Sequence, residues 1–348
     1  MRSTLLTFAL SALAATPALA APSGDEWFAD YDEALAAAKE QEKDLLVDFT
    51  GSDWCGWCIK LDNEVFSHDE FLTGVADDFV LVKLDFPRSE EVRAKVPNPE
   101  RNQELSDAWG IGGFPTVMLV NTDGQPFAQT GYRPGGPVDY VAFLDKIASQ
   151  GKAARVKFDR VASAFEQADA AGRATALGSV LDLLDEVAAF QEELGTQSPL
   201  TKPLLGMVRE SVPIEGEEHA ELELRAFKAL LQNGIYDDEL GALIQTADPD
   251  NAKGLLEITL LAGLQSMQSV EDVQAWVDHA VEMSGKLTFV DEQVHADVLF
   301  NIAYLSHRYL EAPERAAAFA KQTLELKVIT NEQQLAILAE ILGVEEQS

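Results

Sequence analysis

The chain's two cysteines stand three residues apart, Cys55 and Cys58 with Gly56 and Trp57 between them, and no other feature restricts its fold so tightly. A structural cross-link over so short a loop would remove little entropy from the unfolded chain. Thiols at i and i+3 suit the start of a helix, where they can form and break a disulfide. There the unpaired N–H groups favour a thiolate at the first of them. The flanks predict that setting. Asp44 to Phe49 (DLLVDF) reads as a short buried parallel strand, Thr50-Gly51-Ser52-Asp53 turns the chain, and Cys58, Leu61 and Val65 recur at helical spacing. A zinc site would need about four ligands. The chain has no second cysteine pair and its five histidines are scattered, so no metal site is expected.

The first twenty residues read as a secretory signal peptide. Arg2 supplies the charge, Leu5 to Ala15 the apolar stretch, and Ala18-Leu19-Ala20 an A-x-A cleavage site. The apolar stretch is too short to span a bilayer, so cleavage after Ala20 and export are expected. The chain ends Glu345-Glu346-Gln347-Ser348, not in a retrieval signal, which favours a bacterial periplasm. With 26 basic and 59 acidic residues the net charge is -33. Such a surface repels phosphate backbones and anionic headgroups, which argues against a nucleic-acid binder or a polybasic membrane adaptor. At 348 residues and 47% hydrophobic composition the chain has room for about two cores.

The run VDFTGSDWCGWCIKL resembles the active-site signature of the thioredoxin superfamily, with one extra loop residue and Gly-Trp in place of Gly-Pro. It is most similar to exported bacterial thioredoxin-like proteins with a WCGWC core, and the likeness covers about residues 26–150. Val80 to Asp85 matches the next central strand, Gly113-Phe114-Pro115-Thr116 the cis-proline loop with its strand Val117 to Val120, and Phe127 to Thr130 the last edge strand. The resemblance implies an α/β thioredoxin fold over residues 21–150, a central mixed sheet flanked by helices. It also implies thiol–disulfide exchange with protein substrates. Cys55 would be the exposed nucleophile and Cys58 the shielded resolving thiol. Asp48 would be a buried proton carrier with a raised pKa, and Lys83 would pair with it. Trp54, Gly56, Trp57, Phe114, Pro115 and Thr116 would receive the substrate, the Phe114 backbone bonding an extended client segment. The Trp57 N–H, absent in a Gly-Pro motif, would reach the Cys55 sulfur, while Asp53 would oppose the thiolate. No cofactor is implied beyond the redox-active Cys55–Cys58 disulfide. Because Thr116, Asp48 and Lys83 follow thioredoxin, the reductase or isomerase direction is favoured, and a periplasmic reductase would draw on a membrane electron donor. Pro87 to Asn102, polar and rich in proline, reads as an inserted surface loop or as a substrate-selecting rim.

From about residue 151 to 348 strands give way to an all-helical pattern. Leu177, Val180, Leu181, Leu184 and Val187 form one apolar stripe; Leu335, Leu338, Ile341 and Leu342 form another. Ala252 to Met283 and Ala296 to Leu326 read as helix hairpins that weakly resemble tetratricopeptide units. Asp248, Asp250, Asn251 and Gly254 hint at a calcium loop, but Thr259 stands where its closing Glu belongs, so a helix-linking turn is expected. This half would bind a partner or pack inertly. Two other functions fit the whole: a non-catalytic thioredoxin-fold scaffold, and a thiol reductase dedicated to assembling one copper or haem apo-protein.

Overall fold

A computed structural model describes residues 27–344. The leader read in residues 1–20 and the final four residues lie outside them. The described chain falls into two compact units. One holds the residues up to Val156 together with Phe190–Leu200; the other holds Lys157–Ala189 and the residues from Thr201 on.

In the first unit, α1 (Tyr31–Gln41) begins where the Asp30 carboxylate accepts the amides of Asp32 and Glu33, and it ends at Glu42 in a left-handed conformation. Next come β1 (Asp44–Thr50), α2 (Gly56–Leu61), a π-helical turn (Asp62–Phe66), α3 (Asp69–Val75) and β2 (Phe79–Asp85). Then follow α4 (Glu90–Arg93), α5 (Pro99–Trp109), β3 (Thr116–Val120) and β4 (Pro126–Thr130). The sheet order is β2-β1-β3-β4, with β1 parallel to β2 and antiparallel to β3, and β3 antiparallel to β4.

Every residue of β1 is buried, as its nearly unbroken apolar run requires of a strand covered on both faces. Alternation divides its side chains between two cores. Leu46 meets Leu61, Val65, Leu81 and Val117 on one face. Leu45, Val47 and Phe49 meet Ala34, Val82 and Met118 on the other. Asp48 and Lys83 share the parity of Leu46 and Leu81, and so they lie on the face that carries Leu61 of α2.

The insertion expected as a loop is partly helical. Ser89 Oγ accepts the Val92 amide at 3.4 Å to cap α4, and α5 starts at Pro99, a residue preorganised for a first helical turn. Asn98 before it takes a φ of 45° and its side-chain amide donates to Asp30.

The long helix α6 (Gly136–Gln167) and α7 (Arg173–Leu194) follow, then α8 (Thr201–Ser211), α9 (Ala220–Gln232), α10 (Asp238–Ala247) and α11 (Leu255–Ala262). After them come α12 (Val270–Ser284), α13 (Glu292–Arg308), α14 (Pro313–Leu326) and α15 (Glu332–Leu342). Trp276, Val277 and Ala280 of α12 pack with Val298, Ile302 and Leu305 of α13. The Asp248 segment is a helix link, its carboxylate accepting the amides of Lys253 and Leu255, each at 2.9 Å. Among the described residues no helix is long and apolar enough to cross a membrane.

Candidate active site

The chain leaves β1 through a tight turn in which Gly51 O accepts the Trp54 and Cys55 amides at 3.2 and 2.9 Å. Two carboxylates fasten it. Asp85, at the end of β2, accepts the Ser52 amide at 2.9 Å and its hydroxyl at 2.5 Å. Asp53 accepts the amides of Arg88 and Ser89 at 3.0 and 2.7 Å, and these backbone bonds hold its carboxyl below the usual range. Asp53 therefore clasps the inserted segment in addition to carrying charge near the sulfurs.

Cys55 is the N-cap of α2 and is joined to Cys58 by a disulfide, with the two Cα atoms 5.2 Å apart. Two expectations are corrected here. Cys55 is not the exposed partner, since the two residues are 5% and 4% exposed. The amide that reaches Cys55 Sγ, at 3.2 Å, is that of Cys58 and not Trp57, because Cys58 holds the third helical position, where N-cap acceptors find their donor. Gly56 is exposed, and a Cβ on it would meet nothing within 4 Å.

Asp48 lies 4% exposed with Oδ1 bonded to nothing. Burial pushes its carboxyl up to about 7; Lys83 pulls the other way, while Asp62 and Asp85 reinforce the rise. Lys83 is the register partner of Asp48 across the β1–β2 ladder, yet the expected pair does not form. Its ammonium is bonded to Asp62, on the π-helical turn after α2. There it also lies 4.6 Å from the Trp27 ring centroid and 5.9 Å from that of Phe66.

Each tryptophan of the motif belongs to its own aromatic group. Trp54 donates its indole N–H to Phe86 O at 2.8 Å, meets Phe114 edge-on at 5.8 Å, and carries the Arg88 guanidinium 4.0 Å above its ring. Phe114 in turn stacks on Phe86 at 5.1 Å. Trp57, 57% exposed, lies 5.0 Å from Tyr132, and Lys60 sits 5.1 and 4.8 Å from the two ring centroids. The Phe114–Pro115 peptide is cis, and Thr116 Oγ1 donates to Gly113 O at 2.8 Å. A Cβ on Gly131 would come within 2.9 Å of Pro115 O, so only glycine lets the end of β4 approach this loop.

Asp62, Asp85, Arg88 and Tyr132 were not anticipated. Asp62 had a local signal, one helical turn beyond Cys58 on the same face. The others reach the site from more than thirty residues away, with nothing nearby in sequence to mark them.

A model of the thioredoxin-like domain family matches residues 31–148. The chain is 36% identical over 116 residues to the disulfide bond reductase DsbH of Chlamydia pneumoniae, an alignment covering 32% of this chain and 66% of that protein. It is 36% identical over 99 residues to the thioredoxin-related protein DsbJ of the same organism, covering 27% of each. It therefore spans just under two thirds of the first relative's length and about a quarter of the second's. A solved DsbH oxidoreductase matches at 33% identity with a TM-score of 0.31, over 35% of this chain and 83% of that one.

Proposed function

We propose, from the match of residues 31–148 to the thioredoxin-like domain family, that this protein is an exported thiol–disulfide oxidoreductase acting on polypeptide clients, in the reductase or isomerase direction. The observation that carries the reading is the Cys55–Cys58 disulfide at the start of α2, with an amide hydrogen bond to Cys55 Sγ and a buried carboxylate on the sheet face that this helix covers.

In the reducing direction, the Cys55 thiolate attacks one sulfur of a client disulfide. That bond breaks, a mixed disulfide forms, and the other client sulfur leaves as a thiolate. Cys58 then gives its proton to the Asp48 carboxylate and attacks Cys55 Sγ. The internal disulfide closes and the second client sulfur departs. Two electrons have passed from the dithiol to the client, whose thiolates take protons from solvent. The Cys58 amide stabilises the attacking thiolate. The aromatic faces of Trp54, Trp57 and Phe114 offer sequence-tolerant contacts to an extended segment, and the backbone beside cis-Pro115 supplies strand-like bonds. Export to a periplasm, with a membrane protein restoring the electrons, agrees with the leader read in residues 1–20 and with the similarity to the disulfide bond reductase DsbH.

The test is reduction of insulin disulfides by dithiothreitol, with wild type and Cys58→Ser compared. Wild type accelerates precipitation, and the variant stalls as a mixed disulfide visible on non-reducing gels. A wild type that gives no acceleration defeats the reading. The reduction potential of the couple, measured against a glutathione series, decides the direction.

A further inference from the structure

Opposite charges placed directly across neighbouring strands ordinarily pair. Asp48 and Lys83 are such register partners, and they do not. The Lys83 ammonium is turned to Asp62 and lodged over Trp27 and Phe66, which themselves pack 4.9 Å apart. The buried carboxylate keeps an oxygen with no partner at all. The residue that takes the lysine stands four positions after Cys58, on the turn that continues the dithiol helix. Lys83 also lines a cavity of about 220 Å³, with Asp85, Lys95, Val92, Val96 and Pro97 among its other walls, so its side chain is not packed in on every side.

We propose that Asp62 is a positioning residue for the exchange reaction: by holding Lys83 it withholds from Asp48 the cation that would keep that carboxylate charged. The inference rests on the redox reading above and deepens it, since it concerns the group that takes the Cys58 proton. The titratable groups that act on Asp48 are Lys83 and Asp85 of β2, Asp62 of the π-helical turn and Tyr140 of α6. Tyr140 is committed, its hydroxyl donating to Gly131 O at 3.0 Å, and burial pushes its phenol far up. Asp85 is committed to Ser52. Lys83 alone can change sides.

The sign follows. The base must be ionised to accept the Cys58 proton, so the rate of client reduction rises with pH through the titration of Asp48. Asp62→Asn removes a nearby negative charge and releases the ammonium toward Asp48. Both effects favour the ionised carboxylate, and the rising limb moves to lower pH, by about one unit. Asp62→Glu, which can still hold Lys83, keeps the wild-type limb. Lys83→Met moves the limb upward, and Asp62→Asn added to Lys83→Met shifts it less than in the wild-type background, because the lysine route is gone.

The experiment is the pH dependence of the rate constant for reduction of a short peptide disulfide by the full chain, followed by tryptophan emission, with the Asp48 carboxyl titrated by carbon NMR. Asp62 is 46% exposed at its side chain, so the variants should fold, and their emission and denaturation midpoints verify it. An unmoved limb in Asp62→Asn, or an equal shift with and without Lys83, overturns the inference while leaving the redox reading intact. Absence of peptide reduction by wild type defeats the redox reading itself.

Discussion

Asp48 sets a pH signature for stability as well as for chemistry. Its carboxyl titrates near 7 in the folded chain against 3.8 in the reference state, so between those values the folded protein holds a proton that the unfolded chain has lost. The associated stability is complete below pH 3.8 and disappears as pH rises through 7. Fully ionised, the buried carboxylate costs on the order of 4 kcal/mol. Asp48→Asn should therefore resist urea better than wild type at pH 8, with the margin shrinking steadily toward pH 4. A gap that is constant across that range would mean that Asp48 is not the titrating group. The strand position of Asp48 was legible, because it interrupts the apolar run that follows Asp44 in DLLVDF. Its lack of a partner was not. That depends on Lys83 choosing Asp62, a contact across 21 residues with an outcome decided by Trp27 and Phe66 beneath the ammonium.

Among elements, the inserted segment was the hardest to read. Its polarity and prolines suggest a loop, whereas Ser89 caps the four-residue α4, too short for apolar periodicity to reveal, and Pro99 opens the 11-residue α5 inside the same segment. The β strands and α2 were plain by comparison, since burial on both faces leaves an apolar run and burial on one leaves a stripe. What attaches the insertion to the site is Asp53, through two amide bonds at the foot of α4. Asp53→Ala should speed hydrogen exchange of the Arg88 and Ser89 amides and the α4 turn, and leave the β1 amides as protected as before. Uniform protection in both proteins would remove the clasp from the account. Gly51 is a second joint: a Cβ there would come within 2.6 Å of the Trp54 indole. Gly51→Ala should displace that ring from Phe86 O and Phe114, shift its emission to the red and weaken peptide capture by Cys58→Ser.

At the scale of the molecule, the thioredoxin-like unit does not end where its family likeness ends. Phe190–Leu200 returns to it after a stretch that belongs to the helical unit. Gln197 forms an antiparallel bridge with Gln129 of β4, the Thr196 hydroxyl donates to Gln129 O, and Lys146 pairs with Glu193 at 2.9 Å. Leu194 enters the core beside Leu144 and Phe127. The sequence did not announce this, because the apolar stripe read from Leu177 ends at Val187 and nothing local marks Leu194 for a contact with a distant strand. The physical consequence concerns β4. As the outermost strand it would present unpaired backbone groups along one side, a template for association with other chains. The returning segment covers part of that edge from within the same polypeptide. Leu194→Ala should cost roughly 2–4 kcal/mol in urea unfolding of the thioredoxin-like unit, as other buried leucine truncations do. A chain stopped after Val156 loses both the core residue and the edge cover. It should unfold at lower temperature and sediment as concentration-dependent oligomers, whereas the full chain under the same conditions does not. A monomeric truncation as stable as the parent would show that β4 needs no guard and that the return of Phe190–Leu200 serves another purpose.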